Sequence, residues 1–331
     1  MYCNDLTYNG TEQELTKPSA EGFTFLNNKG TNAGSYTVRA RLNENYRWSD
    51  GSNTDKTFTC TINKATPTLT LSATSGSVNA GSTVTFTEKA SVAGKFSNVS
   101  GTTSVATVSP ASYTGVAANT TRTVTVTGVS NGSSKITVTF TPTDTTNYNT
   151  RTATYTVTGY KVASTGSCQS RTYNGASQTL ASGGTGVSYS NNTRTNAGSQ
   201  EVTVTTTSGY RFSDNTTSKT LNCSIAKKSV AVSWGSTTTF TYNGSNQAPT
   251  ASASSGVSGE TLNITRTTGT NAGSYTSTAS LSSVTGGQGL TSNYTLTGTT
   301  KAFTINKATP TLTLSATSAV SYTHLTLPTI A

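Results

Sequence analysis

Two runs near the middle of the chain alternate almost without a break: TRTVTVTG at Thr121–Gly128 and KITVTFTP at Lys135–Pro142. Side chains along a strand point to opposite faces in turn, so each run puts Val, Ile or Phe on one face and Thr on the other. SYTVRARL at Ser35–Leu42 has the same period. Elsewhere, β-branched and aromatic residues alternate with small polar ones in short stretches bounded by Gly, Asn, Ser and Pro. This pattern predicts many short strands in thin, half-buried sheets, with little or no helix.

The stretches between these strands repeat. YNGTEQ at Tyr8–Gln13, YNGASQ at Tyr173–Gln178 and YNGSNQ at Tyr242–Gln247 are one motif, and TNAGS follows each at Thr31–Ser35, Thr195–Ser199 and Thr270–Ser274. An aromatic segment comes next: NYRWSDG at Asn45–Gly51, GYRFSDN at Gly209–Asn215 and NYTLTG at Asn293–Gly298. Each copy closes on a Lys-bearing strand that ends at Ala65, Lys228 or Ala308. Three unequal copies of one all-β unit account for this order, at 1–63, 159–228 and 229–307. Asn-Gly after a tyrosine signals a tight turn, because both residues tolerate positive φ. Tyr8, Tyr173 and Tyr242 are open to a glycan-binding reading, although a tyrosine before a hairpin turn more often packs half-buried.

Residues 64–158 differ. They open KATPTLTLSATSGSVNAGSTVTFT, pass through SVATVSP at Ser104–Pro110 and hold both alternating runs. This many strands and turn signals suit a two-sheet sandwich. No Pro- or Ser-rich linker separates the units, which predicts a fairly stiff string. The fold expectation is therefore all-β, as tandem small β-sandwich or Ig-like modules.

The YNGxxQ…NAGSY copies resemble the small repeat domains of bacterial surface proteins often called MBG-type domains. Residues 64–158 resemble a bacterial Ig-like domain, with SVATVS as its most familiar phrase. The resemblance implies an extracellular place at the bacterial cell surface, as a spacer or presenter in a long adhesin-like protein. Neither family brings a catalytic motif. The partners it implies are neighbouring domains of a longer surface protein, and a glycan or protein of a host or cell surface.

Composition narrows the functional classes. Hydrophobic residues are 31% and charged residues 10%, yet 15 Tyr and 9 Phe argue against disorder. The net charge of +10 comes from 22 basic and 12 acidic residues, and seven of the acids lie in 1–63. The excess comes from scarce acids, with no dense basic cluster, so nucleic acid is not an expected partner. No run approaches transmembrane length. The only histidine, His324, stands outside the repeats, and neither HExxH, GxSxG nor an EF-hand loop occurs. Glu88, Asp144, Glu201, Asp214 and Glu260 are too scattered to suggest an acid/base pair. The expectation is no enzyme, no metal and no cofactor.

Cys3 and Cys168 each stand five residues before the motif tyrosine, while Cys60 and Cys223 stand in the closing strands. The third copy has Thr237 and Phe303 at the equivalent places, so it lacks both cysteines together. That joint loss marks Cys3–Cys60 and Cys168–Cys223 as disulfide partners, with free buried thiols as the competing reading, and for Cys3 an unpaired thiol in a truncated unit. Zinc wants closer ligand spacing, and a catalytic cysteine wants a base. Of the two tryptophans, Trp48 has Phe212 as its counterpart and reads as hairpin packing. Trp234 has no counterpart and is the candidate ligand contact.

INKATPTLTLSATS occurs at Ile62–Ser75 and again, letter for letter, at Ile305–Ser318. The first leads into 64–158, so 308–318 reads as the opening strand of a second Ig-like domain. From Ala319 the chain instead runs AVSYTHLTLPTIA. VSYTHL followed by TLPT resembles the in-frame translation of a transposon-end sequencing adapter, as met in metagenomic assemblies. Residues 319–331, with His324, are thus expected to be a non-native tail, and the chain a fragment whose signal and anchor lie elsewhere.

Overall fold

The structure is a computed structural model that describes residues 3–17 and 21–313. Expectations about His324 and 319–331 lie outside the described residues. Among those residues the protein is all-β, and the one helical turn is the 3-10 turn Thr291–Asn293. The described chain falls into two compact units. The first runs to Ser167 and adds Ser182–Asn191 and Val202–Leu221; the second takes Cys168–Ala181, Asn192–Glu201 and the residues from Asn222 on.

In the first unit, Leu6–Thr7 lies parallel to Lys56–Asn63, which pairs antiparallel with Gly34–Leu42. Phe23–Leu26 completes this sheet on the far side of Gly34–Leu42. Alternation does what the sequence implies: Val38 and Ala40 turn inward, while Thr37 and Arg39 stay exposed. Leu15, Val38, Cys60 and Ile62 form the small core, flanked by Tyr8, Phe25, Tyr36 and Phe58.

The two alternating runs meet in a sandwich. One sheet holds Leu69–Leu71, Thr83–Ala90, Arg122–Gly128 and Ala106–Ser109. The facing sheet holds Ser112–Val116, Gly94–Ser100, Gly132–Pro142 and Arg151–Val162, with Ser75–Asn79 parallel to the last. Val124, Val126, Ile136, Val138 and Phe140 are fully buried between the sheets, with Phe86 stacked on Tyr155 at 4.4 Å. Each such side chain contributes roughly 1.5–3 kcal/mol by leaving water. Arg151–Val162 runs past the expected end at 158, and its Lys161 and Val162 pair in parallel with Tyr210 and Arg211.

In the second unit the third copy repeats the pairings of the first: Thr239–Thr241 parallel to Thr300–Asn306, then Gly273–Thr285 and Thr261–Arg266 antiparallel. The middle copy shows the same partnerships inside each unit. Arg171 lies parallel to Ile225 in one, and Val187–Ser190 pairs antiparallel with the end of Gly198–Thr206 in the other.

Cys3 is bonded to Cys60 and Cys168 to Cys223, with Cα separations of 5.5 and 5.3 Å. In the third copy Phe303 lies across from Tyr275, as Cys60 does from Tyr36. Its ring stacks on Tyr275 at 5.3 Å and meets Phe240 edge-on at 5.9 Å, so packed aromatics fill the disulfide's place.

Candidate functional site at the module junctions

The YNGxxQ turn is built the same way three times. The Asn side chain accepts the backbone N–H two residues on, from Thr11, Ala176 and Ser245, at 2.9–3.0 Å. The following Gly takes φ of 84°, 82° and 77°, where a side chain is strained. The Gln amide reaches back to a strand carbonyl, that of Thr7, Thr172 or Thr241. The tyrosine N–H donates to the closing strand, to Asn63, Ala226 or Asn306, at 2.9 Å each time. A stiff turn thus holds each tyrosine beside the segment that leaves the copy.

What happens at that tyrosine is a junction. In the first unit, Tyr8 meets Tyr148 of the sandwich edge-on, with ring centroids 5.3 Å apart and planes at 84°. The neighbouring Asn147 is buried; its Oδ1 accepts the Ala33 N–H at 2.7 Å, and its Nδ2 donates to Asn32 Oδ1 at 3.2 Å. Ala65, just past the closing strand, bridges Tyr148 in parallel fashion, donating to the Asn147 carbonyl and accepting from Asn149. Lys64 Nζ donates to the Thr145 carbonyl at 2.6 Å.

The second unit contains the same arrangement in other letters. Tyr173 meets Tyr294 edge-on at 5.4 Å and 80°. Asn293, fully buried, accepts the Ala197 N–H at 2.8 Å and donates to Asn196 Oδ1 at 3.0 Å. Lys228 pairs with Tyr294 in parallel, as Ala65 does with Tyr148. In both cases the Asn-Ala of TNAGS and the tyrosine of YNGxxQ grip an Asn-Tyr pair from the following segment. A buried asparagine satisfied on both its O and N is a costly group to misplace, so the contact has one register.

The second junction carries a charge. Glu260 is buried, and its carboxylate accepts both phenols, Tyr173 and Tyr294, the latter at 2.5 Å, and the Gln288 N–H at 3.0 Å. Burial pushes this carboxyl upward, but the two hydroxyls and the amide outweigh it and hold it below the ordinary range. Burial, then the carboxylate, pushes Tyr173 up to about 12 and raises Tyr294 as well. Both phenols therefore stay protonated and remain donors.

The residues singled out from sequence fall as follows. Tyr173 is buried, Tyr8 half-buried and Tyr242 43% exposed. Trp48 packs in its hairpin, tilted on Phe23 at 5.5 Å, with its N–H on the Thr54 carbonyl. Trp234 is half-buried on the short strand Ser233–Trp234, its N–H committed to the Gly298 carbonyl at 2.8 Å. The scattered carboxylates serve separate places. Asp144 braces Asn147, Asp214 closes a turn against Thr216 and pairs Lys219, and Glu260 holds the second junction. Glu88 is buried inside the sandwich beside Asn98, and burial pushes its carboxyl up to about 7.

Sequence reasoning did not find Asn147, Asn196 or Asn293. It grouped Asn293–Gly298 with Asn45–Gly51 and Gly209–Asn215, and Tyr294 in addition does the work of Tyr148. The parallel register is the same in the second and third copies, with Tyr210 beside Lys161 and Tyr294 beside Lys228, but Gly209 stands where the third copy has Asn293. The signal available was the shared Asn-Tyr spelling at 147–148 and 293–294.

No protein-family model matches the chain, and no curated protein sequence matches it. Among solved structures, domains 4 and 5 of the S-layer protein SbsC are similar at 24% identity and a TM-score of 0.24, over 42% of this chain and 69% of that one. Domains 1–6 of the same surface layer protein align at 16% identity and a TM-score of 0.26, over 88% of this chain but 33% of that one. The fibronectin(III)-like modules of Clostridium thermocellum CbhA align at 11% identity and a TM-score of 0.22, over 48% of this chain and 90% of that one. Overlaps at this level decide nothing about function, which has to rest on the junctions themselves.

Proposed function

We propose that the chain is a structural stalk or spacer segment of a secreted bacterial cell-surface or adhesin-like protein, without a catalytic role. Its modules would be 1–63, 64–158, 159–228 and 229–307. The observation that carries this reading is the Asn-Tyr junction, built twice from the same backbone and side-chain bonds. Beads joined by bare linkers swing freely, so contacts of this kind serve a protein that transmits force or holds distance. The two disulfides support an oxidising, extracytoplasmic setting.

Small-angle scattering of the purified chain tests it. We expect one narrow distribution of dimensions that broadens in the double variant Asn147→Ala, Asn293→Ala. A parent chain already as broad as the variant would remove the stalk reading. The binding alternative would be carried instead by glycan-array or protein binding that disappears in Trp234→Ala.

A further inference from the structure

The third copy has the gripping half of the junction with nothing in it among the described residues. Tyr242 is tied to Asn306 by the same 2.9 Å backbone bond that ties Tyr8 to Asn63 and Tyr173 to Ala226. Asn271 and Ala272 stand where Asn32–Ala33 and Asn196–Ala197 stand, and the Asn271 carbonyl accepts the Tyr275 hydroxyl, as that of Asn32 accepts Tyr36. The difference is cover. Ala33, Ala65, Ala197 and Lys228 are half-buried and Pro67 is buried, whereas Ala272, Ala308 and Pro310 are exposed. Tyr242, Ala272, Lys307, Ala308 and Pro310 line one open groove of about 460 Å³.

We infer that this groove is a docking site for the Asn-Tyr corner of a β-sandwich of the 64–158 kind, joined through the sequence at 305–318. Three observations fix the occupant. The same residues in the two sister copies are each covered by an Asn-Tyr pair. The segment leaving the third copy is, letter for letter, the one that leaves the first and enters the sandwich. Finally, Lys307 holds the place of Lys64, whose ammonium takes the Thr145 carbonyl two residues before Asn147. The incoming asparagine accepts the Ala272 N–H and donates to Asn271 Oδ1. The incoming tyrosine meets Tyr242 edge-on, and its backbone pairs in parallel with Ala308. Buried polar bonds of this kind select the partner as well as hold it, because an apolar residue leaves the Ala272 N–H unpaired and a carboxylate cannot donate to Asn271 Oδ1.

The inference deepens the stalk reading by naming what the third copy receives, and its test reads docking alone. The chain is extended so that residues 1–318 are followed directly by a second copy of 76–158. Hydrogen exchange is then followed at the Ala272 and Ala308 amides. We expect both to slow by at least about tenfold relative to the present chain. The rates should return when the grafted counterparts of Asn147 and Tyr148 are changed to Ala, or when Tyr242→Ala is made. Equal exchange with and without the graft overturns the inference. So does a graft that fails to fold, since the same residues fold behind the same letters at 64–158. A second extension, in which 1–306 is followed by 227–307, presents the other Asn-Tyr pair; protection there but not with the sandwich would also overturn the stated occupant. A chain that proves flexible by scattering yet shows this protection would remove the stalk reading and leave the docking site standing.

Discussion

Asn147 accepts the backbone N–H of Ala33 at 2.7 Å across 114 residues of sequence, and this bond fastens the first repeat copy to the sandwich. Its counterpart, Asn293 to Ala197, spans 96 residues at 2.8 Å. Removing either side chain leaves a part-buried amide and a neighbouring Asn oxygen without partners. Asn147→Ala or Asn293→Ala is expected to cost about 1–3 kcal/mol at its own junction. Hydrogen exchange checks this: the Ala33 amide should speed up in the first variant only and the Ala197 amide in the second only.

Glu260 gives the second junction a pH dependence of known sign. Its folded carboxyl lies below the ordinary range, so its stabilising contribution is present above that range and is lost as pH falls through it. Glu260→Gln takes the charge from the acceptor of all three bonds and is expected to lower stability by about 1.5–3 kcal/mol at neutral pH. Thermal melts from pH 7 down to pH 3 should show a flatter acid limb in the variant than in the parent.

Glu88 has the opposite sign. Burial raises its folded carboxyl from 4.5 to about 7, so the folded sandwich binds the proton more tightly than the unfolded chain. Its own contribution to stability is therefore full below about pH 4.5 and declines as pH rises to 7, by roughly 3 kcal/mol at most. Glu88→Gln keeps the shape without the charge, and its melting temperature should be level between pH 5 and pH 7.5 where the parent's falls.

The two disulfides and the aromatic core that replaces them separate under reduction. Closing a loop of this length stabilises by roughly 2–5 kcal/mol, so the first two copies should loosen when Cys3–Cys60 and Cys168–Cys223 are reduced. The third copy, held by Phe303 on Tyr275, should not. Peptide mapping under non-reducing conditions checks the pairing, and exchange at Ser277 and Ala302 before and after reduction checks the contrast.

Strands, repeats and turns were legible because their causes are local. The two-residue period of TRTVTVTG and KITVTFTP puts Val124, Val126, Ile136 and Val138 on one face of their strands with no help from distant sequence. The Asn-Gly of YNGxxQ needs only its own φ and an amide two residues on. The joint loss of two cysteines likewise placed Phe303 where Cys60 stands. The tertiary structure alone decided which partners these elements find. Asn45–Tyr46 and Asn293–Tyr294 share a spelling, yet of the two only the second grips a neighbouring copy, Asn293 taking the Ala197 N–H and Tyr294 meeting Tyr173. Nor did period reveal Glu88, which takes an inward position between Phe86 and Ala90 in an otherwise ordinary strand. Local sequence sets which face a residue takes, whereas a hydrogen bond spanning a hundred residues exists only once the chain has folded and its two ends lie within 3 Å.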